Sequence, residues 1–123
     1  MIVGIGADLC DIKRMAAQLD DRLFLKRFFE ETEQAYILAR GAFAAASMAG
    51  CFAAKEAFVK ALGSGFSGIP PEDIVILHRE NGAPYYRLKG LAQEAAKKRG
   101  VTSLFLSISH EGGLALAFAV LEG

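Results

Sequence analysis

Apolar residues fill the start of the chain from Ile2 to Leu9, broken only by two glycines and by Asp8 near the end of the run. A short run of this kind predicts a strand that delivers Asp8 at its end. Asp11 is placed to cap a helix reaching Leu19, and Asp20 or Asp21 a second one over Arg22 to Phe29. A third helix is expected from Thr32 to Arg40, with Gly41 as its stop. Phe43 to Leu62 carries the strongest helical pattern, being long, rich in alanine, free of proline and ended by Gly63. Its midpoint Gly50 and its many alanines imply close packing on more than one side.

Beyond Gly63 the pattern changes period. Gly63-Ser64-Gly65-Phe66-Ser67-Gly68 is a glycine-rich loop that Pro70-Pro71 prolongs. Asp73 to Arg79 and Tyr85 to Lys89 read as two strands around Asn81-Gly82, the preferred dipeptide of a type I′ hairpin. Leu91 to Arg99 is a short helix with Gly100 behind it. Leu104 to His110 and Leu114 to Leu121 form a last hairpin turning at Gly112-Gly113. Strands and helices do not alternate regularly, so the expected class is α+β, a mostly antiparallel sheet packed with a long helix. The last strand is apolar on both faces and needs cover on both, from helices or from another subunit.

Composition narrows the picture. A chain of 123 residues, 53% hydrophobic, makes one domain, residues 1–123, with a packed core. Fourteen basic and fourteen acidic side chains leave no net charge, which argues against nucleic acid and permits self-association. The start has no basic region and meets an acid too early for a signal peptide. The uncharged run Gly41 to Ala54 is shorter than the ~20 residues that span a bilayer, so no membrane is expected. Cys10 and Cys51 fit neither a metal pair nor a disulfide framework, and read as reduced, buried thiols of a cytoplasmic protein.

Glu56 is the residue that asks for an explanation. It follows Lys55 in a helix whose preceding residues, Phe43 to Ala54, carry no charge. An exposed pair with Lys60 one turn on would contribute only ~0.2–0.5 kcal/mol, and this helix offers little exposed face. Phe52, Glu56 and Lys60 share one side, while Lys55 points elsewhere. A metal would compensate the carboxylate, and Lys60 would then share a phosphate with it. Asp8, otherwise a turn or cap residue, would complete the sparse carboxylate pair that Mg²⁺ uses when phosphates fill its octahedron. The string Gly63 to Gly68 matches G-x-G-x-x-G but follows a helix, which excludes a Rossmann reading and leaves a helix stop that can offer N–H groups to phosphate. Ser107 and Ser109 face away from His110 along a strand, so no hydrolase dyad forms; His110 is better placed to meet an anion or a proton. Lys13, Arg14, Arg22, Lys26 and Arg27 make a basic front, either a solvated helix face or a landing site for an acidic partner.

Taken together, Gly4-Ile5-Gly6-Ala7-Asp8-Leu9, Phe52-Ala53-Ala54-Lys55-Glu56-Ala57, Lys60-Ala61-Leu62-Gly63, Glu80-Asn81-Gly82-Ala83-Pro84 and Ser107-Ile108-Ser109-His110 resemble the holo-acyl-carrier-protein synthases. These are the short bacterial 4′-phosphopantetheinyl transferases, and the resemblance runs along nearly the whole chain. It implies the transferase fold, a homotrimer with sites at subunit interfaces, and transfer of phosphopantetheine from coenzyme A to a serine of acyl carrier protein, releasing 3′,5′-ADP. It further implies Mg²⁺ between Asp8 and Glu56, Lys60 near the transferred phosphate, and Gly63, Ser64 and Gly65 near the pyrophosphate. His110 would lie close to the nucleotide and Arg14 would meet the carrier protein. The serine proton would pass to Glu56 through water or to a metal-bound hydroxide. Two departures stand out. The family often has Arg immediately before the Phe-Ala-Ala-Lys-Glu run, where this chain has Cys51, and longer relatives can carry another acid where this chain has Cys10. Two other classes share these residues: a carrier-binding module without turnover, and a metal-dependent phosphodiesterase.

Overall fold

The computed structural model describes all 123 residues. Strand β1 (Ile2–Asp11) is followed by three short helices, α1 (Ile12–Ala16), α2 (Arg22–Phe28) and α3 (Glu31–Leu38). The long helix α4 (Ala44–Leu62) comes next, then β2 (Ile74–His78) and β3 (Pro84–Leu88), helix α5 (Gly90–Lys98), and the closing strands β4 (Ser103–Glu111) and β5 (Leu114–Glu122). The strands form two antiparallel sheets, β1-β5-β4 and β2-β3. The α+β expectation holds.

Helix α4 is the centre of the core. Thirteen of its nineteen residues are buried. With the turn before it, Gly41–Leu62 is long and apolar enough to span a membrane by length and composition, yet 61% of that window lies inside the fold, so its apolarity is that of a core helix. Six of the buried α4 residues are alanines at 6% exposure or less, and such small side chains let β1 approach the helix backbone closely. A Cβ at Gly4 would collide with the Ala61 carbonyl oxygen, and one at Gly6 with the Ala57 carbonyl oxygen. Glycine is therefore required at both positions, and one strand repeat further on the contact delivers Asp8 to the flank of the helix.

The three-stranded sheet has two unlike faces. Ala115, Ala117, Ala119 and Leu121 of β5 are fully buried under α4. On the opposite face Ile5 is 60% exposed, and Leu9, Phe105, Leu116 and Phe118 are exposed beside it. The doubly apolar closing strand is covered by a helix on one side only within a single chain.

Two local expectations change and one is narrowed. The first helix stops at Ala16 instead of reaching Leu19, although Asp11 caps it as expected, accepting from the Arg14 N–H. Asp21, not Asp20, caps α2. The β2-β3 connection is not a two-residue type I′ turn, which would put both Asn81 and Gly82 at positive φ. Only Gly82 (φ 88°) lies there, and the Asn81 side chain instead accepts from the Ala83 N–H across a longer loop, residues 79–83. The pair at positive φ is Gly112-Gly113, in the last hairpin.

Candidate active site

The close β1–α4 contact brings Asp8 to the turn of helix that carries Glu56 and Lys60. Lys60 Nζ donates to Asp8 Oδ1 at 2.9 Å and to the Ala7 carbonyl at 3.1 Å. The pair is open to solvent, with 53% of the Lys60 side chain and 17% of that of Asp8 exposed. The hydrogen bond that Lys60 donates to Asp8, and then the Asp8 charge, raise the Lys60 ammonium above its ordinary range, so it stays protonated. Glu56 is half-buried and forms no ion pair. Burial first, then the Asp8 charge, push its carboxyl up, against the pull of Lys60 and Arg14. Two carboxylates repelling each other beside one ammonium make a corner that favours an added cation.

A cleft of about 620 Å³ opens beside Glu56, walled by Phe28, Phe52, Phe66, Ile69 and Pro70. It offers an apolar surface next to the carboxylate. The loop 63–68 begins where α4 ends at Gly63 (φ 82°) and is exposed throughout except at half-buried Phe66. Ser64 Oγ donates to the Gly65 carbonyl at 2.7 Å. Arg14 is exposed on α1, and its charge reaches Glu56, so the basic front adjoins the same corner.

His110 lies elsewhere. Its Nε2 is 3.0 Å from the Ala46 carbonyl, and a Cβ at Gly50 would press on the imidazole at 3.2 Å. In the sheet register Cys10 pairs with Ala115 and Ala115 with His110, so Asp8 and His110 sit on outer strands with β5 between them. Two strand spacings, about 9.5 Å, separate those strands. Helix α4 runs over the sheet with Asp8, Glu56 and Lys60 on its β1 flank and His110 on its β4 flank. One chain brings together the first three and not the fourth.

Sequence reasoning overlooked Lys55 and Glu33. Lys55 Nζ donates to Glu33 Oε1 at 2.8 Å and to the carbonyls of Pro71 and Ile74 at 2.9 and 2.6 Å. Glu33 in turn accepts from the N–H groups of Glu30 and Ile76. Burial pushes the carboxyl up and the ammonium down, and each opposes that shift in the other. The only sequence trace was Glu30 followed three residues later by Glu33, a capping-box spacing that is present at the start of α3.

A family model for the 4′-phosphopantetheinyl transferase superfamily matches residues 4–119. A holo-[acyl-carrier-protein] synthase of Treponema denticola is 42% identical over 123 residues, covering 100% of both chains. Among solved structures, that of holo-[acyl-carrier-protein] synthase from Neisseria meningitidis has a TM-score of 0.89 at 31% identity, again over 100% of both chains. The Helicobacter pylori enzyme, solved in complex with coenzyme A, has a TM-score of 0.83 at 32% identity over 96% of this chain and 99% of its own.

Proposed function

The chain belongs to the 4′-phosphopantetheinyl transferase superfamily, among its holo-[acyl-carrier-protein] synthases, and we propose that the Asp8–Glu56–Lys60 corner is its reaction centre. The chain transfers the 4′-phosphopantetheine group from coenzyme A to an apo-acyl carrier protein. We assign the acceptor as a serine hydroxyl and the leaving group as 3′,5′-ADP, in fatty acid biosynthesis. The observation that carries the assignment is the convergence of Asp8 with Lys60 at 2.9 Å, beside Glu56 and the open cleft.

Asp8 and Glu56 fit a hard divalent cation. Both offer oxygen, their charges repel, and Glu56 has no ion-pair partner in the fold. Two carboxylates are the share of ligands that Mg²⁺ takes from a protein when water and substrate phosphate complete its octahedron. Bound there, Mg²⁺ would supply Lewis-acid polarisation of the pyrophosphate. Lys60, protonated and half-exposed, neutralises charge on the oxygens of the transferring group. Gly63, Ser64 and Gly65 follow the end of α4; the N–H groups of Gly63 and Ser64 donate to the Val59 and Lys60 carbonyls, which leaves the Gly65 N–H to meet the pyrophosphate. Glu56, in the same corner, is placed to take the serine proton through water. Arg14, exposed beside this corner, receives the acidic carrier protein. Buried, unpaired Cys10 and Cys51 suit a reducing, cytoplasmic compartment.

We assign a homotrimer whose sites are shared between copies. The exposed apolar face around Ile5, Phe105 and Phe118 supports burial against a second copy. The separation of Asp8 from His110 by α4 supports sharing. The 3′-phosphate and 5′-pyrophosphate of coenzyme A hang from one ribose, and a site shared between two copies would set the β1 flank of one beside the β4 flank of the other. Intact-mass measurement of apo-carrier protein incubated with the enzyme, coenzyme A and Mg²⁺ tests the assignment. A shift by one phosphopantetheine supports it, and release of free phosphopantetheine without carrier modification would favour a phosphodiesterase.

A further inference from the structure

The last four carbonyls of an α-helix have no partner within the helix, and those of α4 are met in different ways. The Val59 carbonyl accepts from the N–H groups of Gly63 and Ser64, and that of Lys60 accepts from Gly63. The Ala61 carbonyl oxygen faces Gly4, in the close approach of β1. The Leu62 carbonyl accepts from the guanidinium of Arg99, the residue that ends α5, 37 positions along the chain. Arg99 belongs to none of the three ion pairs of the fold, and it sits at the negative end of the α4 dipole, where a cation is favoured.

The loop 63–68 starts at that carbonyl. Gly63 lies at φ 82°, and Arg99 Nη1 is 3.7 Å from where its Cβ would stand. At Gly65 (φ 59°) and Gly68 (φ 73°) the same position meets nothing within 4 Å beyond the chain neighbours. The hydrogen bonds further along the loop are local, from Ser64 Oγ to the Gly65 carbonyl and from the Ile69 N–H to the Phe66 carbonyl. Arg99 is thus the residue outside α4 and the loop that bonds to their junction, and Phe66, packed against the core, is the second anchor. Gly65 lies between the two, and its N–H has no acceptor in the fold.

We propose that Arg99 is a positioning residue for coenzyme A: by holding the Leu62 carbonyl and the turn at Gly63, it aims the Gly65 N–H at the pyrophosphate. This rests on the loop being the pyrophosphate contact, as assigned above, and adds the side chain that sets its direction. Glycine at three of six positions gives the loop a backbone freedom that only its anchors restrict. Neither Asp8 nor Lys60 is hydrogen-bonded to Arg99, so its effect reaches the reaction through the loop.

The test uses the full chain labelled with ¹⁵N-glycine, as wild type, as Arg99→Met, which keeps the stem and removes the donors, and as Arg99→Lys. Calorimetric titration with coenzyme A and Mg²⁺ should show affinity falling about tenfold in Arg99→Met, the low end for one hydrogen bond to a charged group. Arg99→Lys should recover part of that loss. Saturating coenzyme A should shift the Gly65 amide signal in wild type, and the shift should shrink in Arg99→Met. In turnover, KM for coenzyme A should rise by about the same factor, with KM for carrier protein within about twofold. A lower melting temperature with unchanged coenzyme A affinity and Gly65 shift would make Arg99 a helix cap alone and overturn the proposal. Equal weakening toward both substrates would overturn it too. If coenzyme A leaves the Gly65 signal unmoved in wild type, the loop assignment fails and the proposal with it. If wild type transfers nothing to carrier protein, the assigned reaction fails, and the titration still decides whether Arg99 directs the loop toward a diphosphate.

Discussion

Helix α4 carries two lysine–carboxylate pairs of almost equal length in opposite surroundings. Lys55 meets Glu33 at 2.8 Å with both side chains at or below 1% exposure, while Lys60 meets Asp8 at 2.9 Å in the open. The buried ammonium has three acceptors for its three protons, and its carboxylate takes two further backbone N–H groups. Nothing is left over for a ligand. The pair instead ties α3, α4, the Pro71 turn and β2 into one unit, and Pro71 is also part of the cleft wall beside Glu56. The open pair is incomplete by the same count: Lys60 has a third proton to give, Asp8 has a second oxygen, and Glu56 stands beside them without a partner. Two pairs five residues apart thus do different work. Full satisfaction marks the one that holds the fold, and incomplete satisfaction leaves the other free for the substrate role proposed for it.

The comparison breaks most visibly on metal removal. A chelator should abolish transfer, with Mg²⁺ or Mn²⁺ restoring it, because a bound cation supplies several kcal/mol at the transition state, about 10³-fold or more. The melting temperature of the buried-pair region should hardly move. Asp8→Asn and Glu56→Gln should each behave like chelated enzyme and weaken Mg²⁺ binding in a direct titration. Retention of near-normal rates in chelator by either variant would remove the metal from the account.

Breaking the buried pair should act on stability. Lys55→Met leaves the Glu33 carboxylate uncompensated in the core and should cost about 3–5 kcal/mol, read by denaturant unfolding. The double variant Lys55→Met, Glu33→Leu should recover part of that loss, short of all of it because the Ile76 and Glu30 N–H groups lose their acceptor. Lys60→Ala should show the converse pattern: turnover down about 10²–10³-fold, the usual effect of removing one preorganised donor, with stability within about 1 kcal/mol.

How much of this was readable beforehand depends on whether the deciding contact was local. The long helix, the closing hairpin and the first strand follow from patterns of a few residues and are present almost to the residue. Asp8, Glu56 and Lys60 were singled out as charges in apolar surroundings, and the open corner is where the fold places them. The Lys55–Glu33 pair was invisible because its partners lie 22 residues apart on separate helices. Burial of Lys55 is a property of the assembled core, which neither helix shows alone. Asn81-Gly82 misled for a related reason. The dipeptide favours a tight turn, but the β2-β3 ladder ends at His78 and Pro84, and a longer loop satisfies the backbone through the Asn81 side chain. The Arg99–Leu62 contact spans 37 residues between α5 and the end of α4, and no local window contains it.

A smaller effect sharpens the same contrast through pH. Glu30 caps the helix that presents Glu33, and its hydrogen bond from the Thr32 N–H is the leading cause that holds its carboxyl below the ordinary range, with Arg87 also drawing it down. A lowered folded value means the unfolded chain takes up the proton first, so this contribution is present above the usual carboxylate range and is lost as pH falls through the folded value. Glu30→Ala should cost about 1 kcal/mol at neutral pH, the usual worth of an N-cap, and should flatten the acid limb of the stability profile. An unchanged acid limb would show that Glu30 adds nothing to the buried unit.

The central claim is that chemistry sits on one flank of α4, nucleotide binding on the other, and that two copies meet to join them. Mixing variants tests it directly. With coenzyme A kept well below KM, Glu56→Gln and His110→Ala should each be impaired alone. Dissociated, mixed in equal amounts and reassembled, they should regain activity at about a quarter of the sites, those where an intact Glu56 flank faces an intact His110 flank. Activity equal to the average of the two separate variants would place every site within a single chain and contradict the account.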